Sequence, residues 1–204
     1  MPASIDDPHW TTITRATVHA GRVTLVDHTV RLPDGTVTGY EVDESVPFAV
    51  ATLVIDGADV LLTRQYRYPI DRWIVDLPAG AGEQGETPIE SAARELREEL
   101  GLVADDLSPL HDFFPNPGRS AWAVHVFVAT GVRAEHAPDD SDPAEQVRLE
   151  RVPIAELDRR IGTGEIVDPT LIVARAAAAV RGILPPLGPD ARRPRLQARP
   201  QSLP

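Results

Sequence analysis

Short alternations of apolar and polar positions fill the first part of the chain. Residues 14–18, 22–27 and 29–32 interleave β-branched and polar side chains, and Pro33-Asp34-Gly35 follows them as a turn signal. They predict a small antiparallel β piece over residues 11–43, too short to fold well alone. Residues 48–55 and 60–66 are strand-like runs around Asp56-Gly57, the usual chemistry of a hairpin turn. Residues 73–77 predict a short strand stopped by Pro78, and residues 121–128 a longer one rich in β formers. The period then changes. Between Thr87 and Gly101 the apolar residues Ile89, Ala92, Ala93, Leu96 and Leu100 fall on one helical face, which is expected to be buried. Thr87 is placed as the N-cap, Pro88 at the first helical position, Glu90 as the third residue of a capping box, and Gly101 as the left-handed terminator. Two further helices are predicted over 154–161 and 170–183, the second alanine-rich. Strands outnumber helices but share one core, so the class is α+β or a mixed α/β/α sandwich.

Composition narrows the chemistry. A chain of 204 residues, 42% apolar and 25% charged, is ordinary for a soluble globular protein of one domain. It has no cysteine, which removes disulfide scaffolds, cysteine zinc sites and thiol nucleophiles together. A net charge of −11 argues against a surface that binds nucleic acid by neutralising phosphates. The acidic start, residues 1–8, lacks the basic and apolar regions of a secretory signal. The longest apolar candidate, 171–184, contains Arg175 and Arg181 and does not predict a membrane span. The expectation is therefore a cytoplasmic protein with neither a nucleic-acid nor a membrane partner. Residues 185–204 hold six prolines and four arginines with few apolar anchors, and are expected to be disordered. The chain divides into an N-terminal β region (1–44), a central α+β domain (45–184) and this tail (185–204).

The central helix carries the chemistry. With Ile89 at zero, Glu98, Glu95 and Glu99 fall at about 180°, 240° and 280°, one arc of a helix turning about 100° per residue. Carboxylates crowded in this way repel one another when solvated, an effect that Arg94 and Arg97 offset in part. The cluster reads either as a solvated Glu/Arg helix or as oxygen ligands for a hard divalent cation. The Leu77-Pro78-Ala79-Gly80 run and the glycine-rich loop before the helix would let carbonyls and phosphates approach closely. The spacing Gly80, five residues, Glu86, seven residues, Arg94-Glu95-Leu96, one residue, Glu98-Glu99, one residue, Gly101-Leu102 resembles the Nudix box at every defined position.

The resemblance implies a Nudix-type α/β/α sandwich with a mixed sheet and hydrolysis of a diphosphate linked to another moiety, using Mg2+ or Mn2+. Carried over by position, Glu95 and Glu99 would be the principal metal ligands, the Ala79 carbonyl a backbone ligand, and Glu98 a further ligand or part of the base machinery. Glu86 and Arg94 would hold loop and helix together by an ion pair, with Gly80 and Gly101 structural. Outside the box, Arg64-Gln65-Tyr66-Arg67, Trp73, Pro115-Asn116-Pro117-Gly118 and Gly164 to Asp168 are similar to the ADP-ribose pyrophosphatase group, as is the β-rich N-terminal piece. That group implies a homodimer acting on a small nucleoside diphosphate sugar, here ADP-ribose cleaved to AMP and ribose 5-phosphate. Arg67 would contact phosphate, the bland reading being a sheet-edge arginine, and Asn116 and Pro117 would touch the terminal sugar. Arg119-Ser120-Ala121-Trp122 departs from the group, which carries a glutamate shortly after Pro-Gly, and this keeps GDP- and UDP-sugars open. A non-catalytic ADP-ribose sensor is the third reading, although no box glutamate is missing. Glu145, in an acidic loop, matches the group's general base; the alternative is a solvated loop. His125 reads as a packing residue. Trp10, Trp73 and Trp122 read as core or dimer packing rather than base stacking.

Overall fold

The computed structural model describes residues 7–137 and 146–187. Strands β1 (Thr11–Ala20), β2 (Thr24–Arg31) and β3 (Val37–Asp43) form a separate antiparallel sheet in the order β1-β2-β3. Val26 and Val30 are its buried residues, while every residue of β1 is exposed.

The second sheet contains β4 (Ala49–Asp56), β5 (Asp59–Arg67), β6 (Arg72–Asp76), β7 (Ala79–Ala81), β8 (Leu102–Phe113), β9 (Val124–Ala134) and β10 (Arg148–Pro153). Its order is β10-β5-β4-β9-β8, with β6 paired to β5 and β7 to β4. Only β4 and β9 run parallel, so the sheet is mixed. The longest strand, β8, is not among the elements expected from sequence. Asp105, Asp106 and Pro109 interrupt its alternation. They are tolerated because β8 is the last strand of the sheet, where a proline leaves no neighbour without a donor.

Helix α1 (Pro88–Leu100) covers one face, packing Leu96 and Leu100 on Val54, Leu61 and Ala129. Helices α2 (Ile154–Thr163) and α3 (Pro169–Val180) cover the other, where Leu157, Leu171, Ala174 and Ala178 meet Leu53, Leu62, Val126 and Val152. Successive strand residues thus feed opposite layers: Val54 and Leu61 serve α1, Leu53 and Leu62 serve α2 and α3. A buried ion pair ties the last two helices. The fully buried Arg175 donates through Nε and Nη2 to the two carboxylate oxygens of Asp158, each at 2.7 Å, and through Nη2 to the Pro185 carbonyl at 2.9 Å.

The capping residues of α1 stand where the sequence placed them. The Thr87 amide donates to the Glu90 carboxylate at 2.8 Å, and Pro88 is the first helical residue. Gly101 closes the helix at φ 65°; a Cβ there would meet the His136 carbonyl oxygen at 2.1 Å, so both conformation and space require glycine. One detail of the apolar face is corrected. Ile89 is 43% exposed, and Ser91 is buried instead with its hydroxyl on Glu86. Trp10 and Trp73 are not core residues either. Both are exposed, Trp10 edge-on to Tyr40 and Trp73 beneath the guanidinium of Arg148. The partly buried Trp122 does pack on the core, and the ring of His125 lies edge-on to Phe48 with Nδ1 at 3.0 Å from Asp112. No helix among the described residues is long and apolar enough to cross a membrane. Glu145 and residues 188–204 of the tail lie outside the described residues.

Candidate active site

Helix periodicity brings Glu95, Glu98 and Glu99 to one side of α1, and one guanidinium organises the cluster. Arg94 Nη1 donates to Glu95 at 2.7 Å and to Glu98 at 2.9 Å. Its Nε and Nη2 form a bidentate pair with Glu86 at 3.0 and 3.2 Å, and Nη2 also reaches the Ala81 carbonyl at 3.1 Å. These bonds, led by that of Arg94, hold the Glu86 carboxyl down at about 2. The loop between β7 and α1 is thereby tied to the helix by the Glu86–Arg94 pair that the motif implies.

Glu99 has a different environment. It lies against β7, where the Ala79 amide donates to Oε2 at 2.9 Å. Burial pushes its carboxyl up to about 8; the negative charges of Glu95 and Asp76 add to this, against the opposing Ala79 amide and Arg67. Gly80 is the neighbouring close approach. A Cβ on it would stand 2.0 Å from Glu95 Oε1, so the carboxylate fills the space that any other residue would occupy. Among the described residues no three acidic or histidine groups converge closely enough to hold an ion as they stand. The donor set nevertheless fits a hard divalent cation. It offers three carboxylates and the Ala79 peptide, and a buried, repelled Glu99 would be stabilised by positive charge.

Arg67 reaches this side of the molecule from the end of β5. The cross-strand pair Thr63 and Asp76 lies on the same sheet face as Leu61, which packs under α1, and Arg67 shares that parity along β5. Its Nη2 donates to Asp76 Oδ2 at 3.2 Å, while 45% of the side chain stays exposed. Asp76 is not among the site residues expected from the sequence. Its signal was its position as the one acid in the apolar run Ile74-Val75-Asp76-Leu77. Asp168, the N-cap of α3, accepts the Leu171 amide at 2.7 Å and faces Asp76; burial, then the Asp76 charge, pushes it up to about 7.

Asn116 and Pro117 belong to a loop turned toward the N-terminal sheet. The Asn116 carbonyl accepts the Arg119 and Ser120 amides, each at 2.9 Å. The Tyr40 hydroxyl donates to Gly118 O at 2.6 Å, and the Asp43 amide to Arg119 O at 2.7 Å. The described contacts of this loop therefore run to itself and to β3, not to α1.

A family model, the NUDIX domain, matches residues 46–171. The "ADP-ribose pyrophosphatase" of Mycobacterium tuberculosis is 36% identical over 159 residues, 77% of this chain and 77% of its own. The protein of the same name from Bacillus subtilis is 33% identical over 159 residues, 77% of this chain and 85% of its own. Among solved structures, "ADP compounds hydrolase" superposes with a TM-score of 0.74 at 24% identity, covering 89% of this chain and 96% of that one; this likeness speaks for the fold. With the box helix, its ion-paired loop and the three-layer sandwich all in place, the chain belongs to the Nudix family.

Proposed function

We propose that this protein hydrolyses the diphosphate of a nucleoside diphosphate sugar, with ADP-ribose giving AMP and ribose 5-phosphate. The observation that carries the reading is the acidic face of α1 set against β7, in a chain more than 30% identical to two ADP-ribose pyrophosphatases. Glu95, Glu98, Glu99 and the Ala79 carbonyl would hold Mg2+ or Mn2+, which when bound supplies positive charge to the diphosphate and acidifies the attacking water. Arg67 presents its exposed guanidinium to the non-reacting phosphate oxygens, a charge-assisted contact made in the bound substrate and the transition state alike. Glu86 and Arg94 keep loop and helix in register, and Gly80 and Gly101 give them the space to do so. Glu98 or Glu145 accepts the proton of the attacking water; Glu98 already has a half-exposed side chain on the same helix. Asn116 and Pro117 receive the terminal sugar.

The three-part division at residues 44 and 184 belongs to the same proposal, with a cytoplasmic homodimer as the working form. It is supported by the N-terminal sheet, which exposes Trp10, Ile13, Val18, Val23, Val37 and Tyr40. Isolated exposed apolar residues are ordinary, but several on one small sheet mark a surface made to be covered. The absence of an acid in Arg119-Ser120-Ala121-Trp122 favours a second reading with the same chemistry on a GDP- or UDP-sugar.

The test is a panel of ADP-ribose, ADP-glucose, GDP-mannose, UDP-glucose and NADH with Mg2+ or Mn2+, in which a phosphatase releases inorganic phosphate from the products. Turnover of ADP-ribose above the others is expected. Inactivity toward all of them with both metals overturns the assignment.

A further inference from the structure

Asp76 is a buried acid, 4% exposed, at the end of β6 where the chain turns into Leu77-Pro78-Ala79. Burying a carboxylate is costly unless its oxygens are satisfied, and here each accepts a hydrogen bond. Oδ1 accepts the Leu77 amide at 2.7 Å, and Oδ2 accepts Arg67 Nη2 at 3.2 Å. The first bond fixes the acid to the turn leading to Ala79 and Gly80; the second fixes the guanidinium to the acid. Asp168, at the N-terminus of α3, faces the same carboxylate, and the repulsion between the two acids leaves Arg67 as the cation that offsets their charge. Arg67 is thus held from its buried side and open on the other. A free arginine side chain must lose rotamer entropy before an N–H edge can meet a phosphate, and a guanidinium already held on one side has lost much of it.

We infer that Asp76 is a positioning residue, which clamps Arg67 so that its open edge is aimed at the substrate's diphosphate. The inference rests on the reading that Arg67 contacts that group. Asp76 itself touches no substrate. Its effect passes through Arg67 alone, so substrate affinity should respond to its charge only while the arginine is present.

Asp76→Asn keeps an acceptor for the Leu77 amide and removes the charge that holds Arg67. The experiment compares the wild type, Asp76→Asn, Arg67→Ala and the double variant on ADP-ribose at saturating Mg2+, with thermal midpoints measured alongside. Asp76→Asn is expected to raise KM about tenfold with kcat within about threefold, a loss of uniform binding. The double variant should match Arg67→Ala within about twofold, since the two residues act as one unit. A role confined to stability would lower the thermal midpoint and the active fraction without moving KM. Should Asp76→Asn fail to fold, Asp76→Glu keeps the charge but lengthens the arm, and the same rise in KM is expected. Wild-type KM in the folded variant, or a double variant in which the two effects multiply, overturns the inference while leaving Arg67 a phosphate contact. Wild-type KM in Arg67→Ala overturns the reading beneath it.

Discussion

Replacing Gly80 with alanine should disable the enzyme while leaving it folded. Gly80 lies in β7 opposite Val50, and its backbone is not in the left-handed region. Alanine is therefore allowed conformationally, and at compatible sites it stabilises by about 0.4–1 kcal/mol through the unfolded chain. The obstacle is Glu95. The new methyl would lie 2.0 Å from Oε1, 2.2 Å from Cδ and 2.6 Å from Oε2. Carbon and oxygen settle at about 3.4 Å or more, so the carboxylate must retreat by roughly 1.4 Å. Glu95 does not retreat alone, because Arg94 holds it at 2.7 Å while gripping Glu86 and Glu98. A displacement of about 1 Å in a reacting constellation costs on the order of 100-fold. The expected result is a fall in kcat of about that size on ADP-ribose, with weaker Mg2+ activation and a thermal midpoint within a few degrees of wild type. Wild-type kcat at low Mg2+ would refute the reasoning, since Glu95 would then be free to move without consequence.

Glu99→Gln should lower kcat more than about tenfold even at saturating Mg2+; a smaller loss in steady-state assays would place the metal elsewhere. In metal-free protein, a Glu99 carboxyl raised to about 8 from 4.5 binds its proton more tightly folded than unfolded. Its contribution is therefore fully present below about pH 4.5 and lost as pH rises through 8, by a few kcal/mol at about 1.4 kcal/mol per unit. Asp168, raised to about 7 from 3.8, acts in the same direction. Denaturant unfolding in EDTA should show stability falling from pH 5 to 8.5, and Glu99→Gln should flatten that slope; a flat or rising wild-type profile contradicts the assignment. Asp158→Ala strands the buried Arg175 and should cost about 3–5 kcal/mol in chemical denaturation, whereas the pair Asp158→Leu with Arg175→Met should recover most of it. If the single variant is as stable as wild type, the ion pair does not hold α2 to α3.

Helix α1 is the most legible element in the sequence because independent local signals agree there. Thr87, Pro88, Glu90 and Gly101 mark its ends, the leucines set its face, and Arg94 is spaced to reach Glu86, Glu95 and Glu98. The spacing also puts Glu95, Glu98 and Glu99 together, since a helix converts separation directly into direction. Strand β8 is not legible, because its acids and proline contradict local strand propensity and are tolerated by its edge position alone. Ile89 follows the periodicity of a buried residue yet is exposed, because periodicity fixes a face of the helix and not what packs against it. Asp76 is harder still. An acid in an apolar run signals a partner without saying which; the register sets Asp76 opposite Thr63, and Arg67 meets it by reaching along the sheet from the position opposite Arg72. Propensity and periodicity act over a few residues, whereas edges and cross-strand partners are properties of the assembled sheet.

The bond from Arg175 to the Pro185 carbonyl carries the folded unit past the end of α3. Leu184 is buried, and Pro185 accepts the only contact by which this arginine reaches past α3 in the described chain. A shortened protein that stops at Leu187 keeps that acceptor, whereas one that stops at Ile183 strips it away together with the buried Leu184. Cleavage, fusion or tethering on the N-terminal side of Pro185 therefore loosens the helical layer behind the sheet.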